Sequence, residues 1–63
     1  MKSYSSREII TLIEADGWNH VRTEGSHHHY KHPTKTGIVT VPHSKKDVPL
    51  KTTKSIFKQA GIT

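Results

Sequence analysis

The chain reads as an α+β domain of order α-β-β-β-α, with two helices on one face of a three-stranded antiparallel sheet. Three observations lead there. An apolar stripe at helical spacing follows a serine–glutamate pair at Ser5 and Glu8. Short β-rich runs, separated by turns that carry glycine or proline, fill the middle of the chain. A second amphipathic stripe then ends at Gly61. The 63 residues leave room for one domain, 1–63, and show no internal repeat.

Ser5 and Glu8 have the spacing of a capping box, in which each side chain satisfies a backbone N–H of the other residue. Ile9, Ile10, Leu12 and Ile13 form the apolar stripe, and Arg7, Thr11 and Glu14 occupy the other side. Gly17 after Asp16 supplies a left-handed stop, so a helix is expected over 6–16. Trp18 to Thr23 reads as the first strand, with Trp18 at its mouth and Val21 pointing inward. His20 and Arg22 would then face the opposite way from Val21. Glu24-Gly25 or Gly25-Ser26 makes the hairpin turn. Ser26 to His32 is the second strand, and period two separates His27, His29 and Lys31 from His28, Tyr30 and His32. Tyr30, the one large apolar body in that run, assigns its own face to the helices. Pro33 to Gly37 is a polar turn, Ile38 to Val41 is the third strand, and Pro42 ends it. His43 to Lys51 is a polar, basic connection. Thr52 or Thr53 caps the last helix, whose apolar side is Ile56, Phe57 and Ala60.

Ten Lys+Arg against five Asp+Glu give a formal charge of +5 and a pI near 9.8. That balance favours polyanionic partners, nucleic acid first, although net charge also serves solubility. The absence of cysteine excludes disulfides and thiolate metal sites and fits a cytosolic protein. No apolar run approaches the roughly 18–20 residues of a membrane span and no signal segment opens the chain, so no membrane contact and a cytoplasmic location are expected. Only 30% of the residues are hydrophobic. A chain this short buries only about 60% of its unfolded surface, so a partner is expected to contribute to its stability.

No nucleophile elbow, phosphate-cradling glycine loop or paired-carboxylate site is present. Imidazole remains: four of the six histidines fall within residues 27–32. Histidine titrates nearest neutrality and serves as base, metal ligand or contact. Beside excess positive charge it suits RNA cleavage, in which a neutral histidine takes the ribose 2′-OH proton and lysines stabilise the developing charge. His27 and His29 on one strand face could instead chelate a transition metal. However, no cysteine and no acid other than Glu24 would complete the shell, so neither metal nor other cofactor is expected. His28 reads as a hydrogen-bonded core residue, His20 and His32 as surface or turn residues, and His43 as a loop-orienting or phosphate-contacting group. His27 opens its strand after a tight Gly-Ser turn, beside Arg22 across the hairpin.

Gly25-Ser26-His27-His28-His29-Tyr30-Lys31-His32-Pro33, then Val39-Thr40-Val41-Pro42-His43, then Lys54-Ser55-Ile56-Phe57-Lys58-Gln59-Ala60-Gly61-Ile62 resembles the HicA family in order and spacing. Asp16-Gly17-Trp18 matches as well. One departure is Lys51, where the family often has glycine before the threonine of the second helix. The resemblance implies a double-stranded-RNA-binding-domain-like fold and the activity of an mRNA interferase toxin, an endoribonuclease neutralised by a HicB antitoxin. It also implies that the essential, catalytic histidine is the one directly after Gly-Ser, which here is His27. On that reading Arg22, His29, Lys31, Lys35, Lys45 and Lys46 hold the RNA backbone around His27. The expected partners are mRNA and a HicB-type antitoxin, with DNA contact only through the antitoxin complex. The competing readings are a non-catalytic RNA-binding module of the same fold and an interaction protein that acts only through its antitoxin or on operator DNA.

Overall fold

The computed structural model describes residues 3–42 and 45–62. Ser5 and Glu8 form the capping box, each side chain taking the other's backbone N–H at 3.1 Å, and they start α1 (Ser6–Ala15). Ile9 and Ile13, one turn apart, are fully buried, whereas Leu12 is 42% exposed. The apolar stripe is therefore narrower than the sequence suggests. The chain then runs through β1 (Asn19–Glu24), β2 (His27–Lys31), β3 (Val39–Pro42) and α2 (Leu50–Ala60). The sheet is antiparallel in the order β1-β2-β3, so the α-β-β-β-α architecture is as expected.

Both helices pack on β3 and on each other. Tyr30, Val39 and Val41 point into that layer and meet Ile9, Ile13, Ile56, Phe57 and Ala60. Trp18 belongs to this core rather than to the strand's mouth. It precedes β1, is 1% exposed and donates its indole N–H to the Ala60 carbonyl at 3.2 Å. Val48 is also buried, and a short bridge pairs it with Tyr4, whose ring meets Phe57 edge-on. The connection after β3 thus supplies a core residue that its polar composition hides.

Two further expectations change. Val21 is 49% exposed, not inward, because the register slips between His20 and Arg22. This bulge leaves His20 opposite Tyr30 and turns Arg22 to the other face, opposite His29. The second change is at α2, which begins after Pro49, with no side-chain cap. Thr53 lies inside the first turn, buried, with its hydroxyl donated to the Pro49 carbonyl, and Thr52 is helical too. At the other end the N–H groups of Gly61 and Ile62 bond back to Lys58 and Phe57, the Schellman pattern that stops the helix.

A polar clamp joins the end of α1, the loop after β2 and the end of α2. The Lys35 ammonium donates to the Asp16 carboxylate and to the Ala60 carbonyl at 3.0 Å. The Lys35 hydrogen bond holds the Asp16 carboxyl below the usual carboxylate range. Burial, with Glu14 nearby, pushes the Tyr30 phenol upward, so it stays neutral in the core. Gly17 takes φ +108°, and a Cβ there would stand 2.7 Å from His32 Nε2.

Gly17→Ala is expected to cost about 1–3 kcal/mol in backbone strain, plus displacement of His32. Gly25→Ala, at a left-handed turn with nothing within 4 Å, should cost only about 1–2 kcal/mol in denaturant titration. Asp16 also links stability to pH. Its folded pKa is lowered from 3.8, so its stabilisation is complete above that value and is lost as pH falls below it. Asp16→Asn should flatten the stability–pH curve in that acid window, and an unchanged curve would remove Asp16 from the clamp.

Candidate active site

A two-residue turn, Gly25-Ser26, joins β1 to β2 and sets Glu24 directly opposite His27. With Tyr30 buried at 2% exposure, alternation turns His27, His29 and Lys31 to the face that no helix covers. Arg22 and Glu24 from β1 and Thr40 from β3 share that face, because they pair with or hydrogen-bond to these residues. His27 is exposed, and among the described residues no side chain hydrogen-bonds its ring.

His29 differs from its neighbour. Its Nδ1 lies 3.0 Å from the Thr40 hydroxyl, and its Nε2 lies 3.0 Å from Glu24 Oε1. The same carboxylate oxygen lies 3.2 Å from Arg22 Nη2. An Arg22–Glu24–His29–Thr40 chain thus crosses all three strands beside His27. Thr40 is a site residue that the sequence reading passed over, and Glu24 entered it only as a possible metal-shell acid. A two-residue hairpin is the signal that could have found Glu24, since it forces Glu24 and His27 to be partners.

The remaining histidines have other work. His28 faces the helices, half-buried, with Nδ1 3.2 Å from the Thr23 hydroxyl, which is also 2.8 Å from His20 Nε2. His32 is a turn residue, as expected, but its ring is largely covered rather than on the surface. Its Nε2 donates to the Asp16 carbonyl at 2.8 Å, while Nδ1 accepts the backbone N–H groups of Thr34 and Lys35 at 3.0 and 3.1 Å. Its ring also meets Trp18 edge-on. His43 lies outside the described residues.

The expected RNA contacts divide in the same way. Arg22 and His29 lie beside His27. Lys31 shares the face but sits four residues along β2, about 13 Å away. Lys35 is turned away altogether and is occupied by Asp16 and the end of α2, which corrects its expected position. Lys45 and Lys46 follow the end of β3, where Pro42 pairs with His27, and Lys45 is anchored to Ser6 through backbone N–H and C=O. They border an open groove of about 600 Å³ on the helix side, together with Arg7, Glu14 and His28, and so flank the end of the sheet rather than its open face. Among the described residues no group of three or more His, Asp or Glu side chains could hold a metal ion.

Residues 6–62 match the model of the HicA toxin family of bacterial toxin–antitoxin systems. The chain belongs to the HicA family. Among solved structures, a chain of a toxin–antitoxin complex from Streptococcus pneumoniae is similar to this HicA chain at 29% identity and a TM-score of 0.77. The match covers 90% of this chain and 95% of that one. No curated protein matches. No helix among the described residues is long and apolar enough to cross a membrane.

In this HicA-family fold, His32→Ala would strip two exposed or half-buried backbone N–H groups of their acceptor, at about 0.5–1.5 kcal/mol per lost hydrogen bond. Denaturant titration should show that loss, with the open face unaltered as judged by the chemical shifts of His27 and His29.

Proposed function

We propose that this HicA-family chain is an endoribonuclease that cleaves mRNA with His27 as general base and is neutralised by a HicB-type antitoxin. The observation that carries the reading is the open sheet face. A solvent-facing imidazole with no hydrogen bond from the described side chains stands there beside a guanidinium and a second imidazole, on a chain of net charge +5.

The chemistry follows from those groups. A neutral His27 removes the proton of a ribose 2′-OH, the oxygen attacks the adjacent phosphorus, and Arg22 lies near enough to meet the charge that develops. RNA supplies the nucleophile, which agrees with the lack of a serine or cysteine elbow. General base catalysis by one group contributes about 10²- to 10⁴-fold, in keeping with a slow, growth-inhibiting activity. Lys45 and Lys46 lie at the His27 end of the sheet and carry the RNA backbone past it, with Lys31 at the far end. An antitoxin bound over the open face would block His27 and cover surface that the small core leaves exposed. Any contact with DNA runs through that complex.

Purified protein incubated with RNA in EDTA is expected to produce cleavage that His27→Ala lowers by about 10²- to 10⁴-fold without loss of fold. Binding without cleavage would instead make the chain an RNA-binding module. A paired measurement addresses the footprint. Lys45→Ala/Lys46→Ala should reduce the slope of log affinity against log salt by roughly 1–1.5. Lys35→Ala should lower stability and leave that slope unchanged.

A further inference from the structure

We infer that His29 is a second catalytic residue of this site, the general acid that protonates the leaving 5′-oxygen. The inference rests on the ribonuclease reading above and concerns the half of the reaction that His27 cannot perform.

Cleavage by the 2′-oxygen needs a proton taken at one end of the phosphate and a proton given at the other, because the attacking and leaving oxygens lie in line on opposite sides of phosphorus. His27 and His29 project from the same face of β2 two residues apart, about 6.6 Å along the strand. That separation lets the two rings bracket one phosphate. Lys31, the next residue on this face, stands twice as far from His27, too far along the strand to bracket the same phosphate.

The surroundings of His29 fit an acid. Its side chain is only 15% exposed, and both ring nitrogens are held, so the ring has one orientation. The charged and titratable groups facing it are Arg22 and Glu24 on β1 and His27 and Lys31 on β2. From β3 it meets the neutral Thr40. Glu24 Oε1, 3.0 Å from Nε2, occupies the position that a proton-accepting oxygen must take. The Glu24 side chain is 62% exposed and can yield that position to the 5′-oxygen, while Arg22 at 3.2 Å keeps the displaced carboxylate paired. The step balances. Neutral His27 takes the 2′-OH proton, the O2′–P bond forms, the P–O5′ bond breaks, and His29, reacting as the imidazolium, gives its Nε2 proton to O5′ and becomes neutral. The products are a 2′,3′-cyclic phosphate and a 5′-hydroxyl, and water returns the two rings to their starting forms.

The test compares two RNA oligonucleotides of one sequence, one with the natural 5′-oxygen at the cleavage site and one with a bridging 5′-sulfur there. A thiolate leaves without a proton, so the sulfur substrate does not need the acid. His29→Gln is the variant of choice, since its amide can still bond Glu24 and Thr40 but cannot serve as the acid. Thermal melts verify that it is folded at the assay temperature, and His29→Ala provides a second variant. The expected result is a 10²- to 10⁴-fold loss on the oxygen substrate with near wild-type cleavage of the sulfur substrate, whereas His27→Ala loses both. Equal losses on the two substrates by folded His29 variants, or no loss on either, would overturn the assignment and leave His27 as base. Wild-type protein that cleaves neither RNA would overturn the ribonuclease reading and this inference with it.

Discussion

Burial of Tyr30 in the layer beneath the helices commits β2 to a single register, and the roles of the surrounding histidines follow from it. A strand alternates with period two, so a slip of one residue would exchange every side chain between faces. Tyr30, Val39 and Val41 together make that slip costly, because it would expose an aromatic ring and draw histidines into the core. With the register held, His27 and His29 must take the face that no helix covers, and His28 must turn toward α1. Three consecutive residues of one type thereby enter two different environments.

Polar interactions fasten the helical layer at both of its ends. Trp18, His32, Asp16 and Lys35 gather where α1 ends and α2 ends, and each has a defined hydrogen-bond partner. The cationic Lys35 ends on α2 carbonyls, where the helix dipole favours positive charge. At the opposite end, the capping box and the Ser6–Lys45 pair fasten the start of α1 to the segment before α2. Both ends of the helical layer are therefore pinned by polar groups, and the open sheet face bears none of that structural duty except through His29.

Much of this was legible in the sequence where the determinant is local. The capping box, the Gly61 stop, the Gly25-Ser26 turn and the alternation of β2 each depend on residues a few positions apart. The departures come from distant contacts. Val21 looks like an inward β-branched residue, and only pairing with β2 reveals the bulge that expels it. Lys35 resembles any surface lysine in a polar turn until α2, 25 residues later, presents its carbonyls. His32 sits in phase with Tyr30, yet its role depends on the close approach of Gly17. Within the candidate site, the place of His27 on the uncovered face was legible from the alternation of β2, and its catalytic role is what the family resemblance implies. The partners of His29 come from two other strands and were not legible.

Excess positive charge alone says little about which cations stand at the open face. Lys35 is spent on the clamp, and Lys45 and Lys46 border the helix-side groove rather than the open face. Near His27 the local balance is finer. Glu24 is held by Arg22 and His29, so the carboxylate opposite His27 is already paired. The same pairing orients His29 and keeps Arg22 over the site. Replacing Glu24 by a cation would raise net charge, yet it would set two cations and an unanchored imidazole against each other. At this site the arrangement of charge matters more than its sum, because the proposed reaction would depend on groups held where charge develops.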